Sequence, residues 1–572
     1  MINKIGVEDS TGKTNSNIAR SNKEANQQPS FKGIGAVALA GIQACERMPM
    51  VNVAVIDMLS AILPRTIVES MTNWFAGFEA FRRESSGLIV NCLIPSVITL
   101  GIAKLLNPAF MPKAAKKVDM SHCWADKDLI QKVSEYYTQA SSADKVEESM
   151  KKIIGNIEGI EGNNKVKFSE VLGEKAVNDY AKRLAEISRK NSTNRELCKE
   201  IKAVSKEIVA KTHVSENIKI ENIGASSVNS LLEDSTKFFK EFRKSQEILP
   251  KTAGEKVVPV TMEQFAAKCK KMVRTKSLLG LAVVLPLAAS MQYINRWITG
   301  KVSGTKGAPI YDDFGKNGAN IEENPKAKEG LLRQKLISIS SMIGVSLLSM
   351  MKMPSWKMLD FKGIFPTMDQ ARIISTCTFA SRMAAADDKN ELAEATVRDI
   401  ATFSSLYFLG DYAAKGVATA IQKQTGVSLL NDTKPIDKNA GALKKFWHWV
   451  KDVNLKSSEE VISKTQQALN GAKPTEAQLQ TIEKELQHAK NLRSACQVSN
   501  IGVSLALLGL IIPIFTRRNT KKKHEQALKL AQQNENNTQT EDKAKEAPIT
   551  PLNVKYSNLT SGFRAEQQHK IA

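Results

Sequence analysis

The chain has 572 residues, with 81 Lys and Arg against 59 Asp and Glu, a formal net charge of +22 and 42% apolar residues. That length exceeds one compact core, and so much charge excludes a chain wholly sunk in lipid, so several regions are implied. An excess of cations fits nucleic acid, an anionic membrane surface or the cytoplasmic edges of membrane spans, and the position of the cations decides among them.

Residues 1–32 are polar and mixed in charge, without an early apolar run or a small-residue cleavage site, and read as a disordered arm rather than a secretory signal. Glu8 and Asp9 also count against an Arg-rich transit peptide. Membrane region I follows at 33–117. Its first part, 33–63, holds two apolar blocks of about thirteen residues separated by Glu46, Arg47 and Pro49, which fits either one broken span or a re-entrant hairpin. Residues 66–84 form an interfacial helix, with Ile67, Val68, Met71, Trp74, Phe75, Phe78 and Phe81 on one face. The stretch 87–106 (Gly87 to Leu106) carries one charge, Lys104, over a length of about 20 residues that covers about 30 Å of hydrocarbon.

Residues 118–267 are rich in Lys and Glu, and apolar residues recur at helical spacing, as in Val171, Ala176, Val177, Tyr180, Leu184 and Ile187. Thr193 with Glu196 and Thr261 with Gln264 read as capping boxes, in which side-chain oxygens satisfy the free N–H groups of a helix start. No useful β-alternation appears, and the region is expected to be a helical domain on the cytoplasmic side. Membrane region II, 268–421, contains expected spans at 277–294, 336–351 and 400–421. The last of these places Asp411 and Lys415 one helical turn apart, either as a self-neutralising pair or as the mark of an interfacial helix.

Residues 422–495 read as an αα-hairpin, with helix starts at Ser457/Glu460 and Thr475/Gln478 and a turn at Asn470, Gly471 and Pro474. Leu479, Ile482, Leu486, Ala489 and Leu492 give its second helix a coiled-coil-like seam, facing the hairpin's own first helix or another subunit. Phe446, Trp447 and Trp449 among Lys444, Lys445 and Lys451 suit a headgroup layer. The last expected span is 496–516, uncharged from Cys496 to Phe515, and 517–572 form a basic and then disordered tail. Dense cationic flanks (Lys104 to Lys117, Lys268 to Lys276, Lys352 to Lys362, Arg517 to Lys523) belong on the cytoplasmic face. An all-α polytopic protein with about six spans in the cell membrane and both termini cytoplasmic satisfies them, without nucleic acid.

Chemical signals are weak. Seven single cysteines without a CxxC pair indicate neither a disulfide framework nor a zinc site. Gly6 to Thr14 resembles a phosphate-binding loop but has five residues between its glycines where such loops have four. Asp313-Phe314-Gly315 stands without the other kinase motifs, and His122, Cys123, Trp124 and Asp126 lack partners for catalysis or metal binding. No catalytic, cofactor-binding or metal residue is therefore assigned, and no small-molecule substrate or cofactor is identified. The candidate functional residues are intramembrane: Asp57, Asp411 and Lys415 as costly charges, and Pro95 and Pro286 as helix breakers. The expected role is a non-catalytic membrane scaffold or assembly component, whose partners are the bilayer and a protein or second copy bound through 118–267 and 457–495. A transporter or channel using Asp411 and Lys415 is the alternative.

Overall fold

The computed structural model describes residues 49–72, 74–112, 117–122, 126–161, 164–221, 223–247, 260–303, 330–350, 356–361, 366–387, 389–434, 436–437, 439–469 and 476–515, with 41, 42, 45 and 518 besides. The architecture is all-α, with two small sheets among the described residues. The N-terminal arm, both loop motifs around Gly6 and Asp313, the basic tail and the sidedness of the termini fall outside the described residues.

Two rods begin the fold. Helix α1 (Pro49–Ile56) passes through a π-turn (Asp57–Ile62) into α2 (Leu63–Thr72), and α3 (Trp74–Leu88) passes through a second π-turn (Ile89–Leu93) into α4 (Ile94–Phe110). Ser60 and Thr66 return their hydroxyls to the carbonyls of Ile56 and Ile62, so neither leaves a free donor in apolar surroundings. Rods α2 and α3 cross closely at Gly77, where a Cβ would stand 1.8 Å from Ser70 Oγ. The stretch 66–84 is thus the apex of this helical hairpin rather than a separate surface helix. Ile67, Met71, Trp74, Phe78 and Phe81 nevertheless remain exposed on its outside.

Asn107 ends the second rod by bonding twice into the segment that follows, to Val118 O (3.0 Å) and from Met120 N (2.9 Å). The soluble region then packs α5 (Lys127–Thr138), α6 (Lys145–Gly155), α7 (Phe168–Arg189), α8 (Asn194–Thr212) and α9 (Val228–Gln246) around one core. The expected faces and caps hold: Val177, Tyr180, Leu184 and Ile187 are buried, and Thr193/Glu196 and Thr261/Gln264 bond reciprocally. Val171 is exposed because α7 kinks at Gly173 (φ 73°), which puts the first turn on another face.

The helices enclose an antiparallel sheet that the sequence reading lacks, β1 (Ile157–Glu161), β2 (Asn164–Lys167), β3 (Glu216–Ile220) and β4 (Ile223–Ser227), in the order β2-β1-β3-β4. Each strand has only four or five residues, too few for an alternating pattern to register. Gly159 is required by the close approach of Val214, whose Cγ1 would lie 2.4 Å from a Cβ there.

Helix α10 (Met262–Ser303) leaves the soluble region and runs unbroken through Pro286. After it come α11 (Leu331–Met350), α12 (Met368–Ala384) and α13 (Lys389–Ser404), the last continued by a π-turn (Ser405–Leu409) into α14 (Gly410–Thr425). Strand β5 (Leu430–Asp432), α15 (Ala442–Asp452) and β6 (Val453–Leu455) lead to the hairpin α16 (Ser458–Leu469) and α17 (Glu476–Ser504), which ends in a π-turn (Leu505–Ile511). The seam of α17 packs within its own chain, where Ala489 and Cys496 meet Ala414 and Ala418 of α14 and Val461 of α16.

Among the described residues, five helices are long and apolar enough to cross a membrane by length and composition: Met50–Met71, Gly77–Phe110, Met262–Val302, Leu331–Met350 and Gln480–Phe515. The stretch 400–421 is not among them. Helix α12 is not either, yet it runs the length of the bundle. Near its start Gln370 bonds Leu359 O (3.0 Å) and Phe361 N bonds Ser277 Oγ (2.8 Å), beside the soluble region. At its far end Lys335 bonds Ala384 O (2.8 Å). With it, α10, α11, α12 and the α13–α14 rod make four traverses of the bundle between the two soluble regions. Three traverses between 118–267 and 422–495 would leave them at opposite ends of the bundle, whereas four bring them together. They touch: Asn431 Nδ2 bonds Ile160 O (2.9 Å), and Glu460 bonds Ser215 N (2.6 Å).

Candidate functional site: a buried ionic cluster in the helical bundle

The far end of the bundle holds charges that its apolar helices cannot leave unpaired. Because α2 and α3 cross tightly at Gly77, Arg65 and Glu84 meet: Arg65 Nη1 donates to Glu84 Oε1 at 2.8 Å. The other oxygen of Glu84 accepts from Arg382 Nη2 of α12 at 2.8 Å. Arg382 Nη1 donates to Asp399 Oδ1 of α13 at 3.1 Å, and Arg398 Nε reaches the same oxygen at 3.1 Å. Arg83 Nη2 stands 3.7 Å from Glu84 Oε1. Side-chain exposure is 13% at Glu84, 8% at Arg382 and 0% at Asp399. Arg382 thereby joins three helices, and deleting one partner of such a buried pair costs about 3–5 kcal/mol because the other charge stays behind.

Polar contacts extend the cluster. Arg82 donates to Asn295 Oδ1 (3.1 Å) and Thr299 Oγ1 (2.9 Å) of α10, and Thr299 Oγ1 lies 2.6 Å from Glu79 Oε1. Arg296 pairs with Asp387 at 2.7 Å and also with Glu391. A row of polar residues continues down α12 every three or four positions. Thr378 donates to Asn91 Oδ1 (2.8 Å), Ser375 shares a hydrogen bond with Tyr407 Oη (2.7 Å), and Arg372 bonds Asp369 (2.9 Å) and Tyr407 O (3.2 Å). Asn91 and Tyr407 sit on π-turns, whose widened backbone turns such groups inward.

Asp57, on the first π-turn, belongs to this cluster: it is half-buried and lies in the fields of Glu84 and Arg382. Pro95 is buried directly after the second π-turn, where the i→i+5 pattern absorbs its missing N–H, and the helix continues. Pro286 is exposed on the outside of α10. Neither proline breaks its helix, so neither frees a stretch of carbonyls. Asp411 and Lys415 lie apart from the cluster, toward the soluble end. Asp411 accepts from Asn500 Nδ2 at 3.1 Å, and Lys415 Nζ donates to Val450 O at 3.2 Å while lying 5.3 and 5.9 Å from the ring centroids of Tyr412 and Trp449. The sequence reading missed Arg65, Glu84, Arg382 and Asp399. Among the described residues no group of three or more His, Cys, Asp or Glu is arranged to hold a metal ion.

A second polar centre joins the two soluble regions. Glu460 closes the expected capping box with Ser457, accepting from Ser457 N at Oε2 (3.1 Å) while its own N–H bonds Ser457 Oγ (3.2 Å). Its Oε1 reaches the first soluble region and accepts from Ser215 N (2.6 Å) and Glu216 N (3.1 Å). Burial raises its carboxyl above the usual range against the pull of those N–H groups and Lys456. On α9, burial pushes Asp234 up to about 7, although Lys237 and the buried Lys276 favour its charged form.

Comparison of the chain with protein families, with curated proteins and with solved structures finds no match.

Proposed function

We propose that the chain is an integral membrane protein acting as a non-catalytic scaffold or assembly component. The observation that carries this reading is Arg382, which grips Glu84 and Asp399 on two other helices at once. The buried charges of the bundle serve to fix helix against helix. The joint at Glu460 supports the same reading, since it makes 118–267 and 422–495 one composite surface for a protein partner. Five long apolar helices support insertion in a bilayer, and Trp74, Phe78 and Leu105 at the exterior suit lipid contact. With α12 and the α13–α14 rod as further passes, both soluble regions occupy one face, which the flanks Lys104 to Lys117, Lys268 to Lys276 and Lys352 to Lys362 make cytoplasmic, while seven passes carry the far end of the last apolar helix, ahead of Arg517 to Lys523, to the opposite face.

One observation favours the transporter alternative: three π-turns gather Asp57, Asn91 and Tyr407 around a single core. Dye-reported flux of H⁺, Na⁺, K⁺ and Cl⁻ in proteoliposomes separates the two. A scaffold gives the leak of empty vesicles, with wild type, Asp411→Ala and Lys415→Ala alike. A flux present in wild type and abolished in a folded Asp411→Ala or Lys415→Ala protein overturns the scaffold.

A further inference from the structure

Helix α15 has eleven residues, ALKKFWHWVKD, and none of them is buried. Leu443, Phe446, Trp447 and Val450 recur at positions i, i+3, i+4 and i+7, which puts them on one stripe. Leu443 is 72% exposed, Phe446 56% and Trp447 51%. Lys444 and Lys451 border the stripe, and Lys451 Nζ lies 5.4 Å from the Trp447 ring centroid. The opposite side holds the helix to the body: Trp449 Nε1 donates to Thr419 Oγ1 at 3.3 Å, and Val450 O accepts from Lys415.

Those anchors fix the depth of α15. Asp411 pairs with Asn500, one turn into the uncharged stretch that starts at Cys496. Lys415 and Thr419 stand four and eight residues beyond Asp411, about 6 and 12 Å along the helix toward the soluble regions. If the apolar helices cross a bilayer, that height is the headgroup layer, roughly 5–8 Å deep on each side of the hydrocarbon. A stripe of apolar rings flanked by lysines at that depth matches anionic lipid in both polarity and charge.

We propose that α15 lies in the membrane surface and binds anionic phospholipid headgroups through Lys444 and Lys451, with Phe446 and Trp447 seated among the acyl chains. The proposal rests on the membrane reading above. The test is amide hydrogen exchange of the full chain in nanodiscs of phosphatidylcholine alone or mixed equally with phosphatidylglycerol, for wild type and the Lys444→Glu, Lys451→Glu variant. Amides of 442–452 should exchange about 30-fold more slowly in the anionic discs for wild type, a factor the variant loses. Equal exchange in both lipids overturns the proposal, as does protection that follows protein concentration rather than lipid charge, the sign of a second copy on the stripe. Co-elution of the full chain with the discs is the separate control. If the chain elutes free of lipid, the membrane reading itself fails, whereas co-elution alongside an unprotected α15 sinks only this proposal.

Discussion

Replacing Glu460 by alanine tests the joint between the soluble regions. The substitution removes a carboxylate that accepts from Ser215 N, Glu216 N and Ser457 N, at 2.6, 3.1 and 3.1 Å. Hydrogen bonds to a charged acceptor contribute about 1.5–3 kcal/mol each, and a buried donor left without a partner costs about 1–3 kcal/mol. The two bonds across the joint should therefore be worth about 3–5 kcal/mol, with roughly 1 kcal/mol more lost from the cap of α16. At 1.4 kcal/mol per factor of ten, opening of the joint becomes about 10² to 4 × 10³ times more frequent. Amide exchange at Ser215 and Glu216 reads this directly, as faster exchange in Glu460→Ala without a matching change in the core of α8. Glu460→Gln keeps one acceptor oxygen but turns an NH₂ toward a donor, so it should fall between wild type and alanine. Unchanged exchange at Ser215 and Glu216 in Glu460→Ala would refute the assignment of Glu460 as the link.

Arg382→Leu should destabilise the detergent-solubilised protein by about 2–4 kcal/mol, measured by thermal unfolding, because it removes the one cation that Glu84 and Asp399 share, while Glu84 keeps Arg65 and Asp399 keeps Arg398. Gly77→Ala should cost about 1–3 kcal/mol because its Cβ would meet Ser70 Oγ at 1.8 Å and Ser70 Cα at 2.8 Å, while Gly101→Ala, with nothing within 4 Å, should be neutral or slightly stabilising. Asp234 has a folded pKa raised to about 7 from 3.8, so its neutral form is favoured in the fold. Its stabilising contribution is complete below about pH 4 and is lost as pH rises through 7, by roughly 2–4 kcal/mol given its partial exposure. Thermal unfolding between pH 5 and 8 should show this loss in wild type and a flatter curve in Asp234→Asn.

What the sequence disclosed follows from which signals are local. Capping boxes at Thr193, Thr261 and Ser457 and the long uncharged runs at Gly87, Ser277 and Cys496 depend on neighbours in the chain, and each emerges as a helix start or a rod. Helix α12 did not register because Asp369, Arg372 and Arg382 break any apolar window. Only the fold reveals that Asp369 and Arg372 pair with each other and that Arg382 finds Glu84, 298 positions away. Arg82 is hidden in the same way, since Asn295 and Thr299 lie 213 and 217 positions away. Of the five candidate residues, Asp57 joins the cluster, and Asp411 and Lys415 each take a partner far along the chain. A π-turn before Pro95 and an outward-facing position for Pro286 let both helices continue without a break.

Insertion of the apolar helices in lipid is tested most directly by washing membranes from cells that express the full chain with sodium carbonate at about pH 11 and sedimenting them. A bundle threaded through the bilayer stays entirely in the pellet, along with a known multi-pass control. Recovery of the intact chain in the supernatant would mean that Gly77–Phe110, Met262–Val302 and Gln480–Phe515 cover one another in water instead.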